Sequence, residues 1–193
     1  MLEIIVIRPG STDYDQQGRI QGTLDIPLND EGRAEVARAA EELKTRDLQA
    51  IYTAESLPAV ETAEALAGLL GVKLKRLEAL TNLDLGLWQG LMIDEVKHKQ
   101  PKVYRQWQEH PESVCPPNGE RFTEALERVQ SAIAKMFRKH SQGVVALVAP
   151  EPLASIARRF LRREEMGNLW KNGVPGCAFD AIPIAPEGLA AVR

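Results

Sequence analysis

Short, continuous runs of aliphatic residues alternate with longer amphipathic stretches, and this alternation constrains the fold more than any other feature of the chain. The first run, Ile4–Ile7, is stopped by Pro9-Gly10, and Val144–Val148 is the most hydrophobic. Such runs are typical of buried strands in parallel sheets, which are covered on both faces. Strands that alternate with helices favour a layered α/β fold. We therefore predict a three-layer α/β sandwich, with a mostly parallel central sheet and helices on both faces.

The predicted elements follow one another in the order that this fold class requires. Strands are predicted at Ile4–Ile7, Leu48–Tyr52, Val72–Leu74, Val144–Val148, Ala178–Ile184 and Leu189–Val192, and helices at Glu31–Leu43, Ala59–Leu70, Glu120–His140 and Pro152–Leu161. Between residues 86 and 117 the periodicity is weaker, with short helical pieces at 93–97 and 103–108. No repeat or linker interrupts the pattern, and 193 residues suit one domain. We predict a single domain over residues 1–193.

Charge and residue usage exclude several functional classes. The chain has 24 Lys and Arg against 27 Asp and Glu, a formal net charge of −3, which excludes a strongly basic nucleic-acid binder. Cys115 and Cys177 lack CxxC spacing and the three histidines are scattered, so we predict no metal site and no cofactor. The first apolar run is too short for a signal peptide or a membrane span. We expect a cytoplasmic protein without nucleic-acid or membrane partners; a homodimer remains open.

A binding crevice is expected where the predicted parallel strands end. In open α/β sheets, ligands bind beyond the carboxyl ends of the strands. Residues 8–12, 53–58, 82–84 and 149–152 are the candidate segments for that edge, and they contain no histidine, no cysteine and one arginine, Arg8. The predicted crevice therefore lacks imidazole and thiol nucleophiles.

Several short blocks, in order and spacing, form a recognisable pattern. They are Arg8-Pro9-Gly10-Ser11-Thr12 with Gly18-Arg19-Ile20-Gln21-Gly22 and Asp25-Ile26-Pro27-Leu28, Tyr52-Thr53 with Glu61-Thr62-Ala63, Gly86-Leu87-Trp88-Gln89-Gly90, Pro117-Asn118-Gly119-Glu120, and Val144–Leu161. Together they resemble the histidine phosphatase (phosphoglycerate mutase-like) superfamily over about residues 2–165. The resemblance implies a phosphoglycerate mutase-like fold with a phosphate-binding crevice.

Three positions that the superfamily uses for catalysis are replaced. The histidine that attacks the phosphoryl group corresponds to Pro9, and the second histidine corresponds to Pro150. The carboxylic acid that protonates the leaving group corresponds to Asn82. A proline side chain has no lone pair for nucleophilic attack, and an amide has no proton to give at neutral pH. We therefore assign no catalytic residue to this chain.

The phosphate clamp of the superfamily is reduced as well. Its second arginine corresponds to Pro58, so Arg8 is the one charged phosphate-handling residue retained in type. Asp15 stands where the family has asparagine, and Glu151 where glycine is usual. Because phosphoryl transfer depends on cationic donors around the phosphoryl oxygens, these changes predict a neutral or anionic pocket. We expect Arg8 to pair with a nearby acid such as Asp15 or Glu151.

These departures define a vestigial pocket. Its predicted members are Arg8, Pro9, Gly10, Thr12, Asp15, Gln21, Pro58, Asn82, Pro150 and Glu151. The leading hypothesis is a catalytically degenerate member, a pseudo-phosphatase that keeps the scaffold for binding, regulation or oligomerisation. The alternative is a weakly active phosphatase or phosphomutase-like enzyme with relocated groups, for which Cys115 and His110 are candidates. A third hypothesis is a binder of a cationic or neutral small molecule; the sequence identifies neither a small-molecule nor a protein partner.

Overall fold

The computed structural model of the chain describes residues 1–166, 169 and 176–185. Its strands are β1 (Leu2–Ile7), β2 (Leu48–Thr53), β3 (Lys73–Arg76), β4 (Gly143–Val148) and β5 (Phe179–Ile184). Its α-helices are α1 (Asp13–Gln16), α2 (Asp30–Leu43), α3 (Leu57–Leu70), α4 (Ile93–Lys99), α5 (Pro101–Glu109), α6 (Phe122–Lys139) and α7 (Leu153–Arg162). Short 3-10 helices lie at Lys44–Arg46, Glu78–Leu80, Gly86–Trp88 and Pro111–Ser113.

The five strands form one sheet in the order β3-β2-β4-β1-β5. The β3–β2, β2–β4 and β4–β1 pairs are parallel, whereas β5 runs antiparallel to β1. Helices α2 and α3 pack together, as do α6 and α7. Consecutive side chains of β1 point to opposite faces of the sheet and are fully buried from Ile4 to Ile7, so both faces are covered. The predicted α/β sandwich with a mostly parallel sheet is confirmed. Strands β1 and β4 lie at its centre, and their aliphatic side chains are almost fully buried.

The sequence patterns placed most elements close to their observed bounds. Helix α3 begins at Leu57, two residues before the prediction, and ends at Leu70 as predicted. It is followed by Gly71, whose φ of 68° suits a residue without a Cβ. Strand β3 is shifted to Lys73–Arg76. Pro152 lies at the N-cap of α7 instead of in its first turn. The predicted strand at Leu189–Val192 lies outside the described residues.

The described helices contain no membrane-spanning candidate. None of them is both long enough and apolar enough to cross a lipid bilayer.

An aromatic pair, the buried Tyr52 and the partly exposed His140, joins β2 to the end of α6. The Tyr52 hydroxyl lies 2.9 Å from His140 Nε2, and the two rings meet edge to face. Lys75 on β3 donates to the same hydroxyl at 3.3 Å. Burial, with Lys75 and Lys139 nearby, lowers the pKa of His140 below its ordinary value of 6.5. The native state therefore favours the neutral imidazole.

We expect this site to contribute to the pH dependence of stability. Because the native pKa of His140 is below the unfolded value, the unfolded chain binds more protons at this site as the pH falls below 6.5, and the free energy of unfolding decreases. His140→Gln should therefore flatten this decrease in urea-unfolding series between about pH 7 and about pH 5. His98→Gln, on the exposed side of α4, is the control. An unchanged slope in His140→Gln would contradict the assignment.

Candidate functional site

A cavity of about 480 Å³ lies beyond the carboxyl ends of β1 and β4, at the predicted edge of the sheet. The loop after β1, residues 18–22, the start of α3 and the turn after β4 contribute its walls. Nine of the ten predicted pocket residues line it: Arg8, Pro9, Gly10, Thr12, Asp15, Gln21, Pro58, Pro150 and Glu151. We call this cavity the crevice. Asn82, the tenth, does not line it.

The loop after β1 is held close to α2 and α3. The Gly10 N–H donates to Thr62 Oγ1 at 3.0 Å. A Cβ on Gly10 would lie 2.6 Å from the Gly32 carbonyl oxygen, so only glycine allows this approach of the two backbones. Thr12 then caps α1, because its side chain accepts from the Asp15 N–H while Asp15 Oδ2 accepts from the Thr12 N–H at 2.8 Å.

Arg8 forms an ion pair with Asp15. Asp15 Oδ2 also accepts from the Thr12 hydroxyl at 2.7 Å, so the capping contacts hold the carboxylate in place beside Arg8. The expected pairing of Arg8 with a nearby acid is confirmed, and the partner is Asp15. The guanidinium that the resemblance assigns to phosphate binding is thus paired with a carboxylate of the same loop.

Glu151 faces a different arginine. Its carboxylate contacts Arg158 on α7 and accepts from the Ser155 N–H at 3.0 Å. Arg158 also donates to the Ser155 hydroxyl at 3.1 Å. The carboxylate that replaces the usual glycine is therefore bound into the first turns of α7 while it lines the crevice.

Asn82 ties two walls of the crevice together from behind, which corrects its predicted place in the pocket. The side chain is buried, and its Nδ2 donates to the Gly22 carbonyl at 2.8 Å and to the Glu151 carbonyl at 2.9 Å. Both neighbours are acceptors, so the amide nitrogen must face them. Oδ1 has no partner among the described residues. A carboxylate at this position has no hydrogen to donate to either carbonyl.

Three prolines stand at positions that the family resemblance assigns to two histidines and an arginine, and the backbone around each of them is well accommodated. The Pro9 carbonyl accepts from the Cys177 N–H at 3.1 Å, and the Pro150 carbonyl accepts from the Ala154 N–H at 2.9 Å. Pro58 occupies the first turn of α3, where the missing N–H costs nothing. Each proline therefore suits its backbone position but offers no group for phosphoryl chemistry.

Carboxylates outnumber cations around the crevice. Its ionisable lining residues are Arg8, Arg19, Asp15, Glu31, Glu35 and Glu151, two cations against four acids. Arg19 Nη1 donates to the Gly90 carbonyl at 2.7 Å, and Glu31 accepts from Gln16 at 2.9 Å. Within the described part of the chain, no group of three or more His, Cys, Asp or Glu side chains is arranged to hold a metal ion.

Glu35 is a crevice residue that the sequence reasoning missed. It is buried, and its carboxylate accepts from the Ser11 N–H at 2.8 Å, the Ser11 hydroxyl at 3.0 Å and the Gly176 N–H at 3.1 Å. The signal for it was its position on the buried stripe of α2, three residues after Gly32 and four before Ala39. An acid on such a stripe indicates a fixed polar partner inside the protein.

The proposed replacement nucleophiles do not reach the crevice. Neither Cys115 nor His110 lines it; the Cys115 thiol lies 3.6 Å from the Gly119 carbonyl, and His110 Nδ1 lies 3.4 Å from Glu112. Burial and the negative charge of Glu35 raise the pKa of the Cys177 thiol to about 12, so it stays protonated at neutral pH. The Cys177 thiol therefore provides no thiolate nucleophile at neutral pH.

Comparison with known proteins gives one consistent family. The family model of the histidine phosphatase superfamily (branch 1) matches residues 4–193. The chain is 25% identical to phosphoserine phosphatase 1 of Hydrogenobacter thermophilus, across 94% of this chain and 86% of that protein. It is 33% identical to phosphoglycerate mutase-like protein 4 of Arabidopsis thaliana, across 76% of this chain and 65% of that protein.

A solved structure agrees with the sequence comparisons. Mycobacterial glucosyl-3-phosphoglycerate phosphatase in complex with VO3 superposes with a TM-score of 0.83 at 25% identity, covering 93% of this chain and 90% of that one. The family resemblance read from the ordered blocks is thereby confirmed, together with the phosphoglycerate mutase-like fold. The chain belongs to the histidine phosphatase superfamily.

Proposed function

We propose that this protein is a catalytically degenerate member of the superfamily, which keeps the scaffold to bind a neutral or cationic ligand. The observation that carries the proposal is that Pro9, Pro58 and Pro150 line the crevice. The family resemblance assigns these positions to the nucleophile, the clamp and the second histidine. Covalent phosphoryl transfer needs a nucleophile with a lone pair and several cationic donors. At these three positions the crevice has prolines, which supply neither a nucleophile nor a cation.

The charges of the crevice support the same conclusion. A phosphate dianion would meet four carboxylates and two guanidinium groups, and it would compete with Asp15 for Arg8. Removing one partner of such a pair leaves the other charge unsatisfied. A ligand with an ammonium, amide or hydroxyl group avoids this cost, because carboxylates accept hydrogen bonds from such donors.

One observation favours the alternative, a weakly active phosphatase with relocated groups. The Ser11 hydroxyl lines the crevice and donates to Glu35 Oε1 at 3.0 Å, an arrangement of hydroxyl and acceptor that resembles a nucleophile beside a base. The same carboxylate also accepts hydrogen bonds from the Ser11 and Gly176 N–H groups, so both of its oxygens already have a backbone donor. Ser11→Ala is therefore the variant that identifies this mechanism.

We expect no turnover of phosphomonoesters and no acid-labile phosphoenzyme. The test is an assay of the purified protein with p-nitrophenyl phosphate and a panel of phosphorylated sugars and phosphoserine, with and without added divalent metal. Turnover of roughly 1–10³ per second, as in ordinary enzymes, would contradict the proposal. Weak turnover that Ser11→Ala abolishes would establish the alternative. If wild type and Ser11→Ala show equal weak turnover, the assay is repeated on a second, independently purified preparation. Turnover that disappears in that preparation comes from a contaminating phosphatase.

A further inference from the structure

A second cavity, of about 260 Å³, lies between α7 and β5, and arginines dominate its lining. Its charged and polar members are Arg158, Arg159, Arg162, Ser155, Glu164 and Asp180, three cations against two carboxylates. We call it the arginine cavity. Its balance of charge is opposite to that of the crevice, where acids are in excess.

Two guanidinium groups of this cavity converge on one carboxylate. Arg158 and Arg162 are one helical turn apart on α7, so their side chains share a face of the helix. Arg158 Nε lies 3.6 Å from Asp180 Oδ2, and Arg162 Nη2 lies 3.3 Å from Asp180 Oδ1. Each carboxylate oxygen thus faces a different arginine. Asp180 occupies the position that a bound oxyanion would take between two cations.

The Asp180 contacts are loose and accessible. The side chain of Asp180 is 41% exposed and that of Arg162 is 39% exposed. Ion pairs of this kind contribute little to stability, because water screens them and the distances exceed those of charge-assisted hydrogen bonds. A ligand that donates two oxygens with shorter contacts can therefore compete with Asp180.

Arg158 is already held in the orientation that such a ligand needs. Its side chain is only 14% exposed, because Glu151 and the Ser155 hydroxyl bind Nη2 from the crevice side. Nε is left facing Asp180. A cation fixed in this way loses little conformational entropy when an anion binds.

We propose that the arginine cavity binds a small oxyanionic ligand, with a phosphate or carboxylate group between Arg158 and Arg162 in competition with Asp180. The size of the cavity suits one such group and a small organic remainder. Arg159, which donates to the Glu165 carbonyl, adds a third positive charge to the lining. The proposed anion site therefore lies outside the crevice. This inference does not depend on the proposed function of the crevice.

The test is calorimetric titration of the full chain with inorganic phosphate and, separately, with succinate. Arg162→Gln is expected to weaken binding by about tenfold, the effect of losing one charge-assisted hydrogen bond. Asp180→Asn is expected to strengthen it by about threefold or more, because the internal competitor loses its charge. Arg33→Gln, an exposed arginine paired with Asp30 on α2, is the matched control and should leave binding unchanged. The stronger of the two probes identifies the ligand class.

The outcomes separate this site from the crevice. Binding that is insensitive to Arg162→Gln, or the absence of binding in both wild type and Asp180→Asn, overturns the proposal. Phosphate binding that is lost in Arg8→Gln but kept in Arg162→Gln overturns it too, and contradicts the proposed function as well. Opposite responses of Arg162→Gln and Asp180→Asn, with both variants folded by circular dichroism, support it, because two merely structural substitutions would both weaken binding or leave it unchanged.

Discussion

Asn82→Glu, the substitution that restores the family's acid, is expected to lower the free energy of unfolding by about 3–5 kcal/mol. A glutamate carboxylate cannot donate to the Gly22 and Glu151 carbonyls that the Asn82 amide now satisfies. It would also bring a charge, without a cation beside it in these contacts, to a position where the side chain is almost fully buried. The loss therefore comes from two unsatisfied acceptors and a desolvated anion together.

Urea unfolding at neutral pH measures this effect. Gln17→Glu makes the same change of amide to carboxylate on an exposed side chain, and it should stay within about 0.5 kcal/mol of wild type. Asn82→Asp keeps the size of the side chain, and its penalty should shrink as the pH falls, because a protonated carboxyl can donate one hydrogen bond. A stable Asn82→Glu variant with wild-type unfolding would show that Asn82 does not join the two walls.

Restoring the family's residue types should give phosphatase activity only when the two added carboxylates are removed as well. The replaced set is Pro9→His, Pro58→Arg, Asn82→Glu and Pro150→His, and the carboxylate set is Asp15→Asn and Glu151→Gly. With Asp15 in place, Arg8 is held by an ion pair. Releasing one such donor for the phosphoryl oxygens is worth about 10²-fold or more in turnover. Groups that act as a unit are strongly non-additive, so the first four changes alone should stay nearly inert.

The measurement is turnover of p-nitrophenyl phosphate by the four-residue and six-residue variants, after circular dichroism confirms that both fold. A second six-residue variant keeps Asn82 and carries Thr81→Ser as a neutral sixth change. It differs from the first in lacking the glutamic acid that would protonate the leaving group, so it measures the contribution of that acid alone. It should be slower by about 10²–10⁴-fold. Measurable and equal turnover by the four-residue and six-residue variants would show that Asp15 and Glu151 do not obstruct phosphate binding.

The central sheet could be predicted because its signals are local. Ile4–Ile7 and Val144–Val148 are continuous aliphatic runs, and both became central strands with little exposed surface. Gly71 marked the end of α3 for the same reason, since a left-handed residue after a helix favours glycine. Family membership followed from ordered blocks, which also depend only on spacing along the chain.

The contacts within the site could not be predicted, because they join segments that are distant in sequence. The Asn82 amide reaches carbonyls 60 residues before it and 69 residues after it. Glu35 meets Gly176, 141 residues away. In the sequence, Asp15 and Glu151 were equally suitable partners for Arg8. In the structure, the capping turn of α1 brings Asp15 to Arg8, whereas α7 brings Arg158 to Glu151.

Strand β3 also limits how two copies of this chain can associate. It is an edge of the described sheet and consists of four residues, Lys-Leu-Lys-Arg, of which three are basic. A short, positively charged edge disfavours hydrogen bonding to the same strand of a second molecule, because like charges would face each other across the new pair. At this end of the sheet, self-association by strand addition is therefore disfavoured, and contact between two copies would involve other surfaces of the molecule.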